Sequence, residues 1–387
     1  MTEREFAVEV VQRLRDAGHE ALFAGGCVRD ELLGLEPKDH DVATSAWPEQ
    51  VQALFRRTVA VGEAFGVVEV LGPRPHKVQV ATFRKDLGYA DGRRPEGVEF
   101  CGAEEDAKRR DFTINGMFLD PLDGNRVIDH VGGRADLEAK VLRAIGDPAE
   151  RFAEDYLRML RAVRMTARFG LTMDESTSEA VKRHAAKLGH GVSAERIAEE
   201  LRKMLAHPAR LEAMTLLCRS SLAPLVLPEM TDPTGVACLE EDASFELAMA
   251  AMLATPQDAR RASLRLKLAN EERERIEWLV GKRGVLETER RASKLKPIMV
   301  HPGFWELADL HRAESSASRI DEVLALRAKW EAESTLNPPP LLTGDDLVAE
   351  GMKPGPKFKT ILEAVRDAQL DGDITTREQA MELARSR

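Results

Sequence analysis

The chain has 387 residues, and at roughly 150 residues per domain this length predicts two or three domains. Hydrophobic residues make up 43% and charged residues 32%, as in an ordinary globular protein, and no apolar run is long enough to span a bilayer, which excludes a membrane protein. The net charge of −10 argues against a protein that coats nucleic acid through a broad basic surface, but it leaves room for a local basic groove.

The N-terminus and the cysteines indicate a cytoplasmic protein. Residues 1–5 carry charges of both signs and continue into a helical pattern, unlike a secretory signal. The four cysteines lie far apart and form no CxxC pair, which favours reduced thiols over a disulfide framework or a zinc site.

The first hundred residues predict a small sheet with short helices, and the remainder predicts helices. Strands are expected at residues 21–24, 41–44, 66–71 and 78–83, and helices at residues 28–33 and 48–57. Residues 84–97 are rich in glycine and charge without an apolar period, which predicts a mobile surface loop. From Ala103 onward the pattern is almost entirely helical. The sequence therefore predicts an α+β head followed by a long all-α remainder.

A glycine turn is the first candidate for a functional site. Gly25 and Gly26 end a strand and open a helix, so a phosphate could approach the backbone there, and Arg29 supplies a positive charge. Taken alone, such a turn is more often only a turn.

A pair of carboxylates is the second candidate. Asp39 and Asp41 lie just before a strand interior and, with a period of two, point to the same face. Two carboxylates in that arrangement can hold a hard divalent cation such as Mg²⁺ beside substrate phosphates, and without a cation their repulsion is costly. A solvated turn is the better interpretation of such a pair in isolation.

A charged helix beginning near Arg151 is the third candidate. A continuous helix would place Glu154, Asp155, Arg158 and Arg161 on one face, which is usually a solvated face with salt bridges. Residues 151–210 carry 12 basic and 8 acidic residues, a local excess of positive charge in an acidic chain, which favours RNA contact.

Six motifs in order make the chain resemble the bacterial class II tRNA nucleotidyltransferases (CCA-adding enzymes) and their close relatives, the bacterial poly(A) polymerases. The motifs are GGCVRD at 25–30, DHDVAT at 39–44, VATFRKDLGYADGRRP at 80–95, RRDFTIN at 109–115, RFAEDYLRMLRAVR at 151–164 and SAERIAEELRKML at 193–205. The resemblance implies a nucleotidyltransferase head of the polymerase-β type with a small mixed sheet, followed by an all-α neck, body and tail. The implied boundaries are 1–135 for the head, 136–205 for the neck, 206–340 for the body and 341–387 for the tail.

The resemblance also assigns roles to residues. Asp39 and Asp41 become the catalytic carboxylates that bind Mg²⁺. Asp155 and Arg158 read the base of CTP or ATP, and Glu154 orients Arg158. The other nucleotide-binding residues that the resemblance implies are Gly25, Gly26, Arg29, Arg110, Asp111, Asn115, Arg161 and Arg164. The sequence also predicts that Arg110 and Asp111 stand at the start of a buried helix over residues 112–118.

Two positions depart from the family pattern. Gln79 stands where many relatives carry Glu. If that Glu is a third metal ligand, the neutral amide of Gln79 weakens metal binding. Glu69 on the preceding strand is, as a hypothesis, the carboxylate that replaces it. Residues 245–280 resemble a degenerate HD-like domain, but Ala254 and Thr255 stand where the His-Asp pair is expected, which predicts a body without hydrolase activity. The family places the tail against tRNA.

These patterns predict template-independent addition of CCA to the tRNA acceptor end from CTP and ATP, by two-metal nucleotidyl transfer with release of pyrophosphate. A poly(A) polymerase, or an enzyme that adds only A or only CC, is the alternative. The loop at 84–97 matches the loop that the family uses to switch from C addition to A addition, which argues against an enzyme that adds only CC. A catalytically inactive RNA-binding relative is the third reading, and the oligomeric state stays open.

Overall fold

The computed structural model describes residues 1–62, 66–73, 75–89, 95–315, 319–353 and 355–387. These residues form two compact units. The first comprises residues 1–204 and 212–228, and the second residues 205–211 and 229–387. The finer division into head, neck, body and tail stays a prediction.

The first unit contains the strands of the chain's described residues. They are β1 Ala21–Ala24, β2 Val42–Thr44, β3 Thr58–Gly62, β4 Val67–Leu71, β5 Lys77–Thr82, β6 Arg84–Tyr89, β7 Pro95–Phe100, β8 Phe118–Asp120, β9 Arg126–Ile128, β10 Val141–Leu142 and β11 Thr172–Met173. Seven of them form one sheet in the order β3-β4-β5-β2-β1-β8-β9. Strands β2 and β5 are parallel and the other neighbours are antiparallel, so the small mixed sheet predicted from the sequence is confirmed.

Twelve helices lie wholly or mainly in the described part of the first unit. They are α1 Glu3–Asp16, α2 Gly26–Leu32, α3 Pro48–Leu54, α4 Ala103–Lys108, α5 Gly133–Glu138, α6 Pro148–Glu154, α7 Leu157–Phe169, α8 Glu175–His184, α9 Leu188–Gly191, α10 Ala194–Leu205, α11 Arg210–Arg219 and α12 Ala223–Val226. Thr2 and Glu5 form a capping box at the start of α1, which satisfies the first free N–H groups of that helix. Apolar side chains of β1, β2, β8 and α4 form a buried cluster beneath the sheet, around Leu22, Phe83 and Phe118.

The second unit is helical. Its helices are α13 Phe245–Met252, α14 Pro256–Arg265, α15 Asn270–Gly281, α16 Val285–Thr288, α17 Ala292–Met299, α18 Phe304–Glu314, α19 Ile320–Ala332, α20 Gly344–Ala349, α21 Pro356–Asp371 and α22 Arg377–Arg385. Helices α20 to α22 enclose a small apolar core around Leu347, Val365 and Ala380. Across the described residues, we find no helix with the length and apolar character needed to cross a membrane.

Two predictions of secondary structure are wrong, and a third, the almost entirely helical remainder, is confirmed with short exceptions. Residues 84–89 and 95–100 are not a loop but the paired antiparallel strands β6 and β7, and residues 90–94 lie outside the described residues. Residues 112–118 are not a helix, because a single 3₁₀ turn at Thr113–Asn115 leads into strand β8. The region after Ala103 is not purely helical either, since β10 and β11 pair as a short parallel ladder within the predicted neck.

These differences have two physical reasons. Strands β8, β10 and β11 have only two or three residues each, too few for an alternating pattern to appear in the sequence. Strands β6 and β7 pair with each other and are rich in glycine and charged residues, so the residues that form them look like a polar loop.

Gly133 packs directly against the turn that carries Asn115. A Cβ atom at Gly133 would lie 2.1 Å from the carbonyl oxygen of Thr113. We predict that Gly133→Ala lowers the free energy of unfolding by about 2 kcal/mol or more, because the backbone must move to relieve the overlap. Urea denaturation measures the change. Gly102→Ala is the matched control, because a Cβ there meets no atom within 4 Å; equal losses in the two variants would contradict this packing.

Candidate nucleotide and metal site

The glycine turn lies beneath an arginine. Gly25 has φ +76°, a conformation that favours glycine, and a Cβ there would approach Arg110 Nη1 to 3.0 Å. Arg110 donates to Asp106 from Nε (3.1 Å) and Nη2 (2.9 Å), and its Nη1 lies 3.4 Å from the carbonyl oxygen of Asn115. Gly25 is therefore needed both for its backbone conformation and for the space that Arg110 fills.

The two candidate metal ligands lie at the end of the sheet where β2 begins. Asp39 is exposed and Asp41 is half-buried, and the backbone oxygen of Asp41 accepts from Ala24 N at 3.0 Å. Burial, and then the charge of Asp39, raises the pKa of Asp41 to about 6, while the Arg110 guanidinium opposes this shift. Two repelling carboxylates with one raised pKa fit a divalent cation, because its charge would offset both the repulsion and the burial.

A third carboxylate does not join them. The parallel pairing of Val42 with Val80 places Gln79 level with Asp41 on the neighbouring strand, and Glu69 pairs with Gln79 one strand further out. At a strand spacing of about 4.8 Å, Glu69 therefore stands about 10 Å from Asp41, and its carboxylate lies 2.8 Å from Lys77 Nζ. Among the described residues, no three carboxylate, histidine or cysteine side chains form a metal-binding group. Glu69 is thus not a substitute for the Glu expected at position 79.

A buried carboxylate, Asp111, belongs to a network that links helix α2, the 3₁₀ turn and helix α7. Asp111 is 8% exposed; Arg161 Nε and Nη2 donate to its Oδ2 (2.8 and 2.6 Å), and Asn115 Nδ2 (3.1 Å) and Phe112 N (2.9 Å) donate to its Oδ1. Burial opposes ionisation, but Arg161 and Asn115 hold the pKa of Asp111 well below its ordinary value. Asn115 Oδ1 accepts from Arg29 Nη1 at 2.5 Å. The structure therefore brings Arg29, Asn115, Asp111 and Arg161 into one hydrogen-bonded chain.

Arg29 lies inside this network. It is 4% exposed, its Nη2 lies 2.7 Å from Asp30 Oδ1, and its Cζ lies 4.3 Å from the ring centroid of Phe169. This burial suits a residue that supports the turn. Cys27, beside it, is also buried, and burial raises the pKa of its thiol to about 12.

The charged segment near Arg151 is not one continuous helix. Helix α6 ends at Glu154, Asp155 is extended (φ −155°, ψ 104°), and α7 starts at Leu157. The prediction that Glu154, Asp155 and Arg158 share one helix face is therefore wrong. The break nevertheless leaves Glu154 hydrogen-bonded to Arg158 and, at 2.9 Å, to Arg151.

Arg158 and Asp155 have different neighbours on the two sides of the break. Arg158 Nη1 donates to the carbonyl oxygen of Arg151 at 2.9 Å, and its Nη2 lies 3.5 Å from that of Arg109. Asp155 accepts from both terminal nitrogens of Arg196, at 3.2 and 2.6 Å. Arg196 was not singled out from the sequence, although it lies within the motif at 193–205.

Arg164 stands apart from the other candidates. It is 7% exposed and donates to Glu200 on α10 at 2.6 Å. It meets Arg29 only through Met165, whose sulfur lies 4.0 Å from Arg164 Nη1 and 3.8 Å from Arg29 Nη1.

Asp106 is a further residue that sequence reasoning missed. It is 1% exposed and accepts from Arg109 Nε at 2.9 Å, from Arg110 and from the backbone N–H of Arg84 at 3.2 Å. It thereby joins the start of the β6–β7 hairpin to Arg110 above the glycine turn. The signal in the sequence is its spacing of three and four residues from two arginines on a short helix.

The raised pKa of Asp41 gives a stability prediction for the metal-free protein. The folded-state pKa of about 6 lies above the ordinary value of 3.8, so this group favours folding below about pH 4 and loses that contribution as the pH rises through 6. We predict that Asp41→Asn raises the free energy of unfolding by up to about 3 kcal/mol at pH 7.5 and by about 1 kcal/mol at pH 4.5, where the carboxyl of the unfolded chain is already mostly ionised.

Denaturation in EDTA at the two pH values measures this difference between variant and wild type. Asp123→Asn is the control, because Asp123 is exposed and lies on the β8–β9 turn. Equal stability of Asp41→Asn and wild type at pH 7.5 would show that the carboxylate pair is not strained.

Comparison with known proteins identifies the family. The family model for "Poly A polymerase head domain" matches residues 21–143, and the model for "Probable RNA and SrmB- binding site of polymerase A" matches residues 170–232. The crystal structure of the Bacillus stearothermophilus CCA-adding enzyme in complex with CTP is similar over 100% of this chain and 99% of that chain, with a TM-score of 0.84 and 27% identity.

Curated relatives carry the same description. The chain is 44% identical to the CCA-adding enzyme of Bacillus subtilis over 56% of its own length, but it spans only 54% of the length of that relative. It is 33% identical to the CCA-adding enzyme of Lactobacillus helveticus over 97% of its own length and 95% of that relative. A likeness that extends over nearly the whole of both chains shows that this protein belongs to the family of CCA-adding enzymes.

Proposed function

We propose that the protein adds CCA to the 3′ end of tRNA without a nucleic-acid template, using CTP and ATP and releasing pyrophosphate. The observation that carries this proposal is the continuity of the site. Arg110 lies within electrostatic reach of Asp41 and stands over the glycine turn, and the next residue, Asp111, binds Arg161. The preceding residue, Arg109, offers its carbonyl oxygen to Arg158 Nη2 at 3.5 Å, so the candidate cation site and the candidate base-reading site meet at residues 109–111.

The cation is proposed to be Mg²⁺, held by Asp39 and Asp41. A bound divalent cation would lower the pKa of the primer 3′-hydroxyl and neutralise charge on the nucleotide phosphates. The raised pKa of Asp41 supports this assignment, because the carboxylates gain from a positive charge between them. Arg110, half-buried beside the glycine turn, supplies a further positive charge on the side from which phosphates could approach Gly25 and Gly26.

The base is proposed to be selected by Arg158 and Asp155. A guanidinium presents paired N–H donors and a carboxylate presents acceptors, which together match the edge of a cytosine or adenine. Glu154 holds Arg158, and Arg196 holds Asp155 from the opposite side. A carboxylate has about four acceptor positions, so Asp155 can bind Arg196 and a base together. The B. stearothermophilus relative, whose structure contains CTP, supports CTP as a substrate of this chain.

Two further assignments belong to this proposal. The tail, residues 341–387, would contact tRNA beyond the acceptor end, while the neck would face that end. A cytoplasmic location is proposed because the exposed thiols of Cys218 and Cys238 suit a reducing compartment.

A primer-extension assay tests the activity. Purified protein with Mg²⁺ receives tRNA ending at the discriminator base, at C or at CC, with labelled CTP or ATP, and a generic RNA as the control substrate. We expect C on the first two substrates and A only after CC. Long A tails on the generic RNA would instead support a poly(A) polymerase, and incorporation of only one nucleotide type would support an A-only or CC-only enzyme.

The carboxylate pair should be essential in this assay. Asp39→Ala and Asp41→Ala are each expected to reduce incorporation by at least about a thousandfold, because the cation loses a ligand. Asp123→Ala, which removes an exposed carboxylate from the β8–β9 turn, is the control and should be fully active. Activity that survives in either variant of the pair would refute the assignment of these two residues.

Glu154 should determine selectivity more than rate. In Glu154→Gln, Arg158 loses its charged partner, and we expect the preference for CTP over UTP, measured as a ratio of kcat/KM values, to fall roughly tenfold or more. Glu150→Gln serves as the control, because Glu150 is exposed on the first turn of the same helix. A Glu154→Gln enzyme with an unchanged ratio would mean that Arg158 is oriented by other contacts.

A further inference from the structure

A partly buried cluster of polar side chains lies at the base of the loop that carries Asp39. Glu31, at the end of α2, accepts from Arg4 Nε at 2.9 Å and Nη2 at 3.1 Å. The other side of the cluster is His40, whose Nε2 lies 3.2 Å from Glu31 Oε1. His40 is 5% exposed, although it stands between the two candidate metal ligands.

His40 is the anchor of this loop. Residues 32–39 are exposed apart from Pro37, and the backbone of Asp41 makes the next hydrogen bond to the sheet. The imidazole packs on Phe23 of β1, with ring centroids 5.3 Å apart, and Arg4 Cζ lies 5.6 Å from the same ring centroid. The contact between Glu31, before the loop, and His40, after it, therefore joins the two ends of the loop.

The position of the anchor matters for the carboxylates. Asp39 and Asp41 are the chain neighbours of His40, so their Cα atoms each lie about 3.8 Å from that of His40. Fixing the His40 side chain therefore restricts the backbone that joins the two carboxylates. Residues that hold metal ligands in place commonly alter metal affinity or activity by roughly tenfold or more when they are replaced.

We propose that Glu31 and His40 are positioning residues, whose contact clasps loop 32–39 and holds Asp39 and Asp41 at the spacing that a divalent cation requires. This inference rests on the proposed function, since it concerns the cation site assigned there. Arg4 supports the clasp by fixing the Glu31 carboxylate from α1.

The test measures cation binding without nucleotide or RNA. Mn²⁺, whose free form is counted by electron paramagnetic resonance, is titrated into the metal-free full-length protein. His40→Phe keeps an aromatic ring for Phe23 but loses Nε2, and Glu31→Gln keeps the shape of the side chain but loses its charge. We expect the Mn²⁺ dissociation constant to rise about tenfold in His40→Phe and less in Glu31→Gln.

A second readout separates positioning from mere stability. In the addition assay, kcat at low cation concentration should fall in both variants and be restored by excess cation, while KM for tRNA stays unchanged. Arg15→Gln is the matched control: Arg15 also lies on α1 and pairs at 2.7 Å with the buried Asp120, away from the loop. It should leave Mn²⁺ affinity as in wild type.

The outcomes distinguish the clasp from the function on which it rests. Unchanged Mn²⁺ affinity in folded His40→Phe and Glu31→Gln overturns the clasp; if His40→Phe does not fold, Glu31→Gln alone decides. If Asp39→Ala and Asp41→Ala also leave Mn²⁺ binding intact, the cation site itself is wrong. If those two variants lose Mn²⁺ while the clasp variants keep it, only the clasp fails.

Discussion

The ion pair between Asp111 and Arg161 is the interaction on which the site depends. A carboxylate that is only 8% exposed is costly unless it is fully paired, and Asp111 receives two donors from Arg161, one from Asn115 and one from the backbone of Phe112. One end of this arrangement is a turn of the sheet domain and the other is helix α7. The turn thereby holds Asn115 against Arg29. Helix α7, which is fixed by Arg161, holds Arg158 beside Glu154.

The break at Asp155 follows from similar requirements. In a continuous helix the Asp155 side chain would lie on the same face as Arg158. The extended backbone at Asp155 instead places its carboxylate against Arg196 of α10. Many of the basic residues that give this region its local positive charge are engaged in similar ion pairs. Arginines of α6, α7 and α10 bind carboxylates within the same unit, namely Arg151, Arg158, Arg161, Arg164 and Arg196. Much of the positive charge in this region therefore organises the site before any RNA arrives.

The sequence was a good guide to residue chemistry and to the larger elements. The sequence predicted the mixed sheet of the head, including strands at 21–24 and 66–71. These strands contain runs of apolar residues that are long enough to be recognised as strands. The resemblance also implied that Glu154 orients Arg158, and the two side chains do pair, although the helix breaks between them. The hairpin β6–β7 and the 3₁₀ turn at Thr113–Asn115 were not predicted, because their short or polar sequences carry no alternating apolar pattern. The roles of Asp106 and Arg196 were missed because they depend on partners 22 and 41 residues away, Arg84 and Asp155.

What the sequence alone determined, then, is which residues are the candidates for the chemistry: two aspartates around His40, a glycine turn, and the carboxylates and arginines of residues 151–164. It also indicated the family to which the chain belongs, because that chemistry is written in short motifs of fixed order. Only the tertiary structure decided which of those charges are buried and which partner each one has. A motif specifies side chains and spacing, whereas burial and pairing depend on long-range contacts, such as those that place His40 between Glu31 and Phe23.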